Sequence, residues 1–243
     1  MNAHWITRAR SLALAAVFAA GAAGSAGAQD LSVLVRLGSQ SFDKAASLDN
    51  TLFVGLDAMY PVNSWLELGP TLSIGRGQTT GDHFISTITY GVVGVGDTTS
   101  FYRATQPQTL LDATFGARIS LPGDRLIRPY AVAGVGGYVQ LLDPIVMRRD
   151  KRQVGVSFNA GVGALYQFSE RAGIALDFRA FILNDYDRTA LDPREGINTP
   201  TARAENTLWA EDFPAAPASK SSVTNYSMSI GFSYVPSFLG GGR

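Results

Sequence analysis

The chain of 243 residues contains no cysteine, which excludes disulfide bonds and thiolate chemistry. Charged side chains are few, at 16% of residues, and they balance at 20 basic and 20 acidic. This balance does not provide the basic surface that nucleic-acid binding requires, so we expect no nucleic-acid partner. Beyond residue 28 there is no apolar run of about 18 residues, so no spanning helix is expected.

The first 28 residues have the composition of a secretory signal peptide. Arg8 and Arg10 precede an apolar run, and small residues lead up to Ala28. The run is rich in Ala and Gly and weakly apolar for a membrane anchor, so we expect cleavage after Ala28. The predicted organisation is a cleaved signal peptide, residues 1–28, followed by one domain, residues 29–243. Cleavage removes two basic and no acidic residues, which leaves a slight acidic excess.

Eight stretches alternate apolar with small or polar side chains, which is the period of a β-strand with two different faces. The apolar face carries no charge, whereas the other face collects Gly, Ser, Thr, Asp, Glu and Arg. An apolar exterior around a polar interior is typical of a closed barrel in lipid. The predicted strands cover approximately residues 31–42, 51–60, 66–76, 109–121, 128–141, 153–168, 173–183 and 223–235.

The connections between these strands alternate in length. Short turns rich in turn residues occupy 61–64, 122–125 and 169–172. The long connections are 43–50, 77–108, 142–152 and 184–222, and the apolar stretch 84–95 is expected to extend its two strands as a hairpin. Short turns at one end and long loops at the other are typical of outer-membrane barrels. The predicted fold is therefore all-β: an eight-stranded antiparallel up-and-down transmembrane β-barrel, with short periplasmic turns and long extracellular loops.

Two segments resemble a known family. Arg128–Tyr138 reads RPYAVAGVGGY and Asn159–Phe168 reads NAGVGALYQF. Both are similar to strands of the small eight-stranded outer-membrane barrels of the OmpA/OmpX type and the related outer-membrane β-barrel domain proteins. The resemblance covers essentially the whole mature chain. It implies the outer membrane of a Gram-negative cell, with the barrel-assembly machinery as a partner during biogenesis.

The chain departs from that family at its C-terminal end. Barrels of this group usually end on an aromatic residue that closes the last strand, whereas this chain continues from Pro236 to Arg243. We therefore expect either that Phe232 and Tyr234 provide the assembly signal or that the signal is read less efficiently.

Charged residues on the inward face predict how the lumen is filled. An eight-stranded barrel has room inside only for side chains, and buried charges must pair. The sequence thus predicts charge pairs that plug the lumen. The alternative is a narrow gated channel in which the pairs exchange partners, or a port for small or apolar solutes. The predicted inward charges are Arg36, Asp57, Glu67, Asp112, Arg118, Arg128, Asp177 and Arg179.

Few residues favour catalysis or metal binding. The single histidine after the predicted cleavage site, His83, lies in a loop near Ser86, and no strand positions the two as a nucleophile and base. Asp185 and Asp187 have the i, i+2 spacing found in calcium loops but lack the remaining ligands. We predict no enzymatic activity, no metal and no cofactor.

A cationic loop predicts the contact with the cell surface. Residues 142–152 carry Arg148, Arg149, Lys151 and Arg152 against Asp143 and Asp150. Such side chains above the outer leaflet would pair with lipopolysaccharide phosphates, and the alternative is a solvated loop tip. We predict a monomer with a structural or surface role, either stabilising the envelope or binding through its loops, with outer-membrane lipid and lipopolysaccharide as partners.

Overall fold

Eight strands close into an antiparallel barrel in the computed structural model, which describes residues 31–81, 85–92, 96–103, 105–122, 126–142, 151–191 and 218–236. Around the barrel the order is β1-β10-β9-β8-β7-β6-β3-β2. The predicted eight-stranded fold is confirmed. The strands are β1 Ser32–Phe42, β2 Thr51–Pro61, β3 Leu66–Gln78, β4 Ile85–Val92, β5 Gly96–Arg103, β6 Pro107–Ser120, β7 Ile127–Leu142, β8 Lys151–Gln167, β9 Ala172–Asn184 and β10 Ser222–Tyr234.

Strands β4 and β5 lie in the connection from β3 to β6 and form a separate two-stranded sheet. They pair from Ile85 with Arg103 to Val92 with Gly96. A hairpin is therefore present in this connection, but it extends beyond the expected stretch 84–95, because its second strand begins at Gly96. Two 3-10 turns lie in the connections, at Lys44–Ala46 and Arg188–Leu191. No helix in the described ranges is long and apolar enough to cross a bilayer.

The outward face of the barrel strands is an exposed apolar band. Its side chains alternate with buried ones along each strand, as the period of two requires. Aromatic residues lie near the short turns, and Phe168 and Phe232 contact each other with ring centroids 6.5 Å apart. This is the aromatic girdle of a membrane barrel. Exposed members of the band include Val35, Leu37, Leu52, Val54, Leu72, Ile74, Phe115, Val135, Val162, Phe178 and Ile230, with Trp65, Tyr166, Phe168 and Tyr234 toward the short turns.

The strands are staggered around the barrel, which determines which side chains meet inside. The ladder partners of Leu34 can be traced from strand to strand around the barrel in both directions. One path meets β8 at Ser157 and the other meets it at Gln167, so the two paths do not close on the same residue. This shear tilts the strands. Inward side chains at one height therefore come from residues that are not direct ladder partners.

Candidate functional site in the barrel interior

A buried carboxylate on β2 accepts hydrogen bonds from three arginines in the middle of the lumen. Asp57 Oδ1 accepts a hydrogen bond from Arg36 Nη2 at 2.9 Å. Asp57 Oδ2 accepts from Arg118 Nη2 at 3.2 Å and from Arg179 Nη2 at 2.6 Å. The side chains of Asp57 and Arg36 are both 0% exposed. One carboxylate thus joins guanidinium groups from β1, β6 and β9.

A second carboxylate completes the cluster from β9. Arg179 donates to Asp177 through Nε at 2.8 Å and through Nη2 at 3.0 Å. Arg36 Nη1 lies 3.6 Å from Asp177 Oδ1. The Tyr130 hydroxyl donates to Asp177 Oδ2 at 2.9 Å, which brings β7 into the cluster.

The periplasmic edge of the cluster is formed by Glu67, whose Oε2 accepts from Arg118 Nη1 at 3.1 Å. Arg118 also lies over the Tyr130 ring, 5.1 Å from its centroid. Three guanidinium groups therefore face three carboxylates, and their formal charges cancel. We call Arg36, Asp57, Glu67, Arg118, Asp177 and Arg179 the central charge network.

Inward glycines provide the space that these long side chains occupy. A Cβ added at Gly55 would lie 2.9 Å from Arg36 Nη2, and one at Gly161 would lie 2.6 Å from Arg179 Cγ. At Gly163 it would lie 2.4 Å from the Tyr130 hydroxyl oxygen. Glycine at these positions lets another group approach the wall closely.

Two of the predicted lumen charges stand apart from the network. Arg128 is half-buried and donates to Gln167 Oε1 at 3.5 Å, near the short turns. Asp112 is buried, and its carboxylate interacts with the Ser157 hydroxyl. It pairs in the ladder with Ser73 and lies within electrostatic reach of Arg36 and Arg179.

Amides and hydroxyls line the lumen between the network and the extracellular mouth. Gln40 Nε2 donates to Asn225 Oδ1 at 2.8 Å, and Asn159 Nδ2 donates to Thr114 Oγ1 at 2.7 Å. Nearer the mouth, Gln153 donates to Gln140, which donates to Gln108 at 3.3 Å. We call this region the amide layer.

Two loop segments fold inward and close the mouth with apolar side chains. Ala45, Ala46 and Leu48 come from the β1–β2 connection, and Tyr186 and Leu191 follow β9. The Tyr186 hydroxyl donates to the Ala46 carbonyl at 2.8 Å, and burial raises the pKa of that hydroxyl. We call this cluster the extracellular cap; its wall residues are Leu110, Tyr138, Leu142, Leu183 and Val223, with Phe42 packed against it.

The β1–β2 connection is also tied to the neighbouring segment that precedes β10. Asp43 Oδ1 accepts from the Ala45 N–H at 3.0 Å, and Lys220 Nζ donates to Asp43 Oδ2 at 2.9 Å. The Ala45 N–H first, and then Lys220, hold the pKa of the Asp43 carboxyl below its usual range. Sequence reasoning treated both cap segments as plain connections. The available signal was the apolar Ala45-Ala46 pair and Leu191 within otherwise polar loops.

The remaining candidate residues lie at the rim or outside the described ranges. Arg148, Arg149 and His83 fall outside them, Lys151 is the first residue of β8, and Arg152 is exposed. Within the described ranges, no group of three or more His, Cys, Asp or Glu side chains could hold a metal ion.

Comparison with known proteins shows that the chain matches one family model and is similar to several solved barrel structures. The family model "Outer membrane protein beta-barrel domain" matches residues 11–199. No curated protein sequence matches the chain. Neisserial surface protein A superposes with a TM-score of 0.52 at 11% identity, covering 85% of this chain and 97% of that chain. This likeness supports the barrel fold.

Two further crystal structures are less similar. OprG from Pseudomonas aeruginosa has a TM-score of 0.44 at 13% identity, covering 86% of this chain and 97% of that chain. The attachment invasion locus protein Ail of Yersinia pestis, in complex with the heparin analogue sucrose octasulfate, has a TM-score of 0.40 at 9% identity, covering 85% of this chain and 100% of that chain.

Proposed function

The chain belongs to the outer membrane protein β-barrel domain family, and from this premise we propose that it is a closed, non-enzymatic barrel with a structural and surface role. The observation that carries the proposal is the central charge network. Its bonds run across the lumen, since Asp57 on β2 contacts Arg118 on β6 and Arg179 on β9, which are not neighbouring strands.

The network resists opening because its members are buried and mutually dependent. Breaking one buried ion pair leaves an uncompensated charge, at a cost of about 3–5 kcal/mol. In an interior that side chains fill, an arginine has no aqueous position to move into. We therefore propose that the pairs are a permanent plug.

Apolar residues flank the network toward the periplasm. Leu34, Met59 and Ala175 are buried, and each lies one inward position nearer to the short turns than Arg36, Asp57 and Asp177, respectively. The extracellular cap closes the opposite end. An ion entering from the extracellular mouth would meet the apolar cap before it reached the charges, which opposes conduction.

Planar-bilayer recording of the refolded protein tests the proposal. We expect no unitary conductance from the parent, because the network fills the lumen. A double variant, Asp57→Ser with Arg179→Ser, removes one charge of each sign and shortens both side chains, so it should conduct and serve as the positive control. Leu72→Ala, on the lipid face, is the matched control and should show no conductance. Reproducible unitary steps from the parent would overturn the closed barrel in favour of a narrow channel.

For the surface role, we propose that Arg148, Arg149, Lys151 and Arg152 bind lipopolysaccharide phosphates. Support comes from Arg152, which is exposed at the long-loop end of β8. Guanidinium groups bind phosphate bidentately, and the attraction weakens as salt rises.

Replacing Arg148, Arg149 and Arg152 with Gln should reduce co-purified lipopolysaccharide at low salt. Arg171→Gln, in the exposed short turn at the opposite end, is the matched control. Equal lipopolysaccharide retention by the triple variant and the parent would leave the loop as a solvated tip.

A further inference from the structure

We propose that residues 185–191 form a lid that opens outward and admits water and small uncharged polar molecules to the amide layer. The central charge network remains closed beneath it. The inference rests on the proposed function, since it requires a barrel that is sealed at mid-lumen. It makes the upper lumen a cup facing the cell exterior.

The β1–β2 half of the cap is fixed to the barrel wall by main-chain bonds. Asp43 N donates to the Thr224 carbonyl at 2.9 Å, and Thr80 N donates to the Ser47 carbonyl at 2.9 Å. Asp49 N donates to the Gln78 carbonyl at 3.0 Å. Because these bonds tie the segment to β10 and to the end of β3, it serves as the seat of the lid.

The 185–191 half is held mainly through side chains. The Tyr186 hydroxyl donates to the Ala46 carbonyl, and Asp187 N donates to Gln153 Oε1 at 3.0 Å. Gln106 Nε2 donates to the Leu191 carbonyl. A main-chain bond from Tyr186 N to the Ser221 carbonyl, at 3.0 Å, lies at the start of the segment. Side-chain latches of this kind can break without disturbing the barrel ladder.

A hinge lies where this segment leaves the wall. Strand β9 ends at Asn184, and Asp185 has a left-handed backbone with φ of 59°. This conformation is uncommon for residues other than glycine and is frequent at switch points. Beyond Ser157, β8 continues to Lys151 without pairing to β9, so the chain turns inward beside an open stretch of β8.

The amide layer below the lid contains buried polar atoms without partners. Gln108 Nε2, Asn225 Nδ2 and the Tyr138 hydroxyl make no hydrogen bond. An unmet buried polar group is costly, and water or a hydroxylated or amide solute can satisfy both donors and acceptors. Apart from the buried Asp112 carboxylate, which interacts with the Ser157 hydroxyl and lies near Arg36 and Arg179, the layer carries amides and hydroxyls, which suit uncharged polar ligands.

Cysteine accessibility tests the lid, because the chain has no native thiol. Ser157→Cys places one thiol in the amide layer of the refolded protein, and the probe is methyl methanethiosulfonate, which is small and neutral. Tyr186→Phe removes the latch to Ala46 and should raise the labelling rate about tenfold, as expected for one lost buried hydrogen bond. Asp185→Gly favours the left-handed hinge and should slow labelling several-fold. Tyr166→Phe, on the lipid face, is the matched control for loss of a hydroxyl.

Equal labelling of the parent and Tyr186→Phe would overturn the lid and leave a static cap. Failure of Tyr186→Phe to fold would show as loss of the heat-modifiable band of folded barrel in gel electrophoresis. Asp185→Gly then tests the lid, and a thiol-labelling rate that is unchanged or faster in that variant overturns the proposal. Bilayer recordings of the same proteins separate the two claims. Conductance by the parent contradicts the closed barrel, whereas unaltered labelling in silent proteins contradicts only the lid.

Discussion

The middle and the mouth of the lumen are closed by different means. The central charge network is made of wall residues on the strands, and its contacts are directional ion pairs. The extracellular cap is made of loop residues that fold inward, and its contacts are largely apolar. Removing one buried member of such a network leaves an uncompensated charge. A peripheral apolar cluster can open locally at lower free energy than global unfolding.

The largest effect is expected at the centre of the network. Asp57→Asn keeps the shape but leaves three guanidinium groups around a neutral side chain, and it should cost about 3–5 kcal/mol of unfolding free energy. Glu67→Gln is the matched control, because Glu67 is 24% exposed and meets one arginine, so its loss should cost much less. Urea titration in lipid vesicles measures both. Equal costs would show that the contacts of Asp57 with three arginines stabilise the barrel no more than the single contact of Glu67.

Two equally buried leucines, one in the barrel wall and one in the lid, allow the stability of the two regions to be compared. Leu34, on β1, is 2% exposed and Leu191, in the lid, is 1% exposed. Leu34→Ala should cost about 2–5 kcal/mol in global unfolding. Leu191→Ala should cost well under half of that and should mainly speed labelling of Ser157→Cys, because the lid opens locally. A full cavity cost at Leu191 would show that the cap unfolds only with the barrel.

Glycine replacement measures how tightly the network fills its space. Gly161→Ala places a Cβ 2.4 Å from the Phe178 carbonyl oxygen and 2.6 Å from Arg179 Cγ, so the wall or the arginine must shift. We expect a loss of about 1–3 kcal/mol in the urea titration. Gly137→Ala is the control, since its Cβ meets the Gly155 carbonyl oxygen at 3.3 Å. Similar losses at the two sites would argue against close packing around Arg179.

The smallest effect is expected at Asp43, which anchors the seat of the lid. The Ala45 N–H and Lys220 lower the pKa of its carboxyl, so its stabilising contribution is present above the unfolded-state pKa and is lost as pH falls through the lower folded-state pKa. Because the thiolate is the reacting form, the labelling rate of Ser157→Cys is divided by that of an exposed cysteine at the same pH, and this ratio should rise modestly below about pH 4. Asp43→Asn should remove most of this pH dependence. An unchanged pH profile in that variant would exclude Asp43 as its source.

The strands and their two faces could be predicted from the sequence because alternation is a local signal. Each strand of ten or more residues repeats it several times, and the observed ends lie within two residues of the predicted ones. The inward charges followed from the same alternation, including Arg36, Asp57, Asp177 and Arg179. Their partners did not follow, because the strand stagger and the inward glycines decide which of them meet across the lumen.

The cap could not be predicted because its signal is not periodic. Ala45, Ala46, Tyr186 and Leu191 lie in connections whose path depends on the finished barrel beneath them. Arg128 illustrates the same limit at the other end. The sequence predicts Arg128 as a member of the lumen charge pairs, but the half-buried guanidinium contacts the neutral Gln167.

Bilayer recording of a variant that opens the mouth and keeps the network intact tests the central claim most directly. Tyr186→Phe with Leu191→Ala removes the latch and an apolar contact of the lid, and leaves all six charged residues of the network in place. We expect fast labelling of Ser157→Cys in this protein and no ion conductance, because the central charge network alone closes the lumen. Sustained unitary conductance from a folded, heat-modifiable preparation of this variant would contradict the account and assign the closure to the cap.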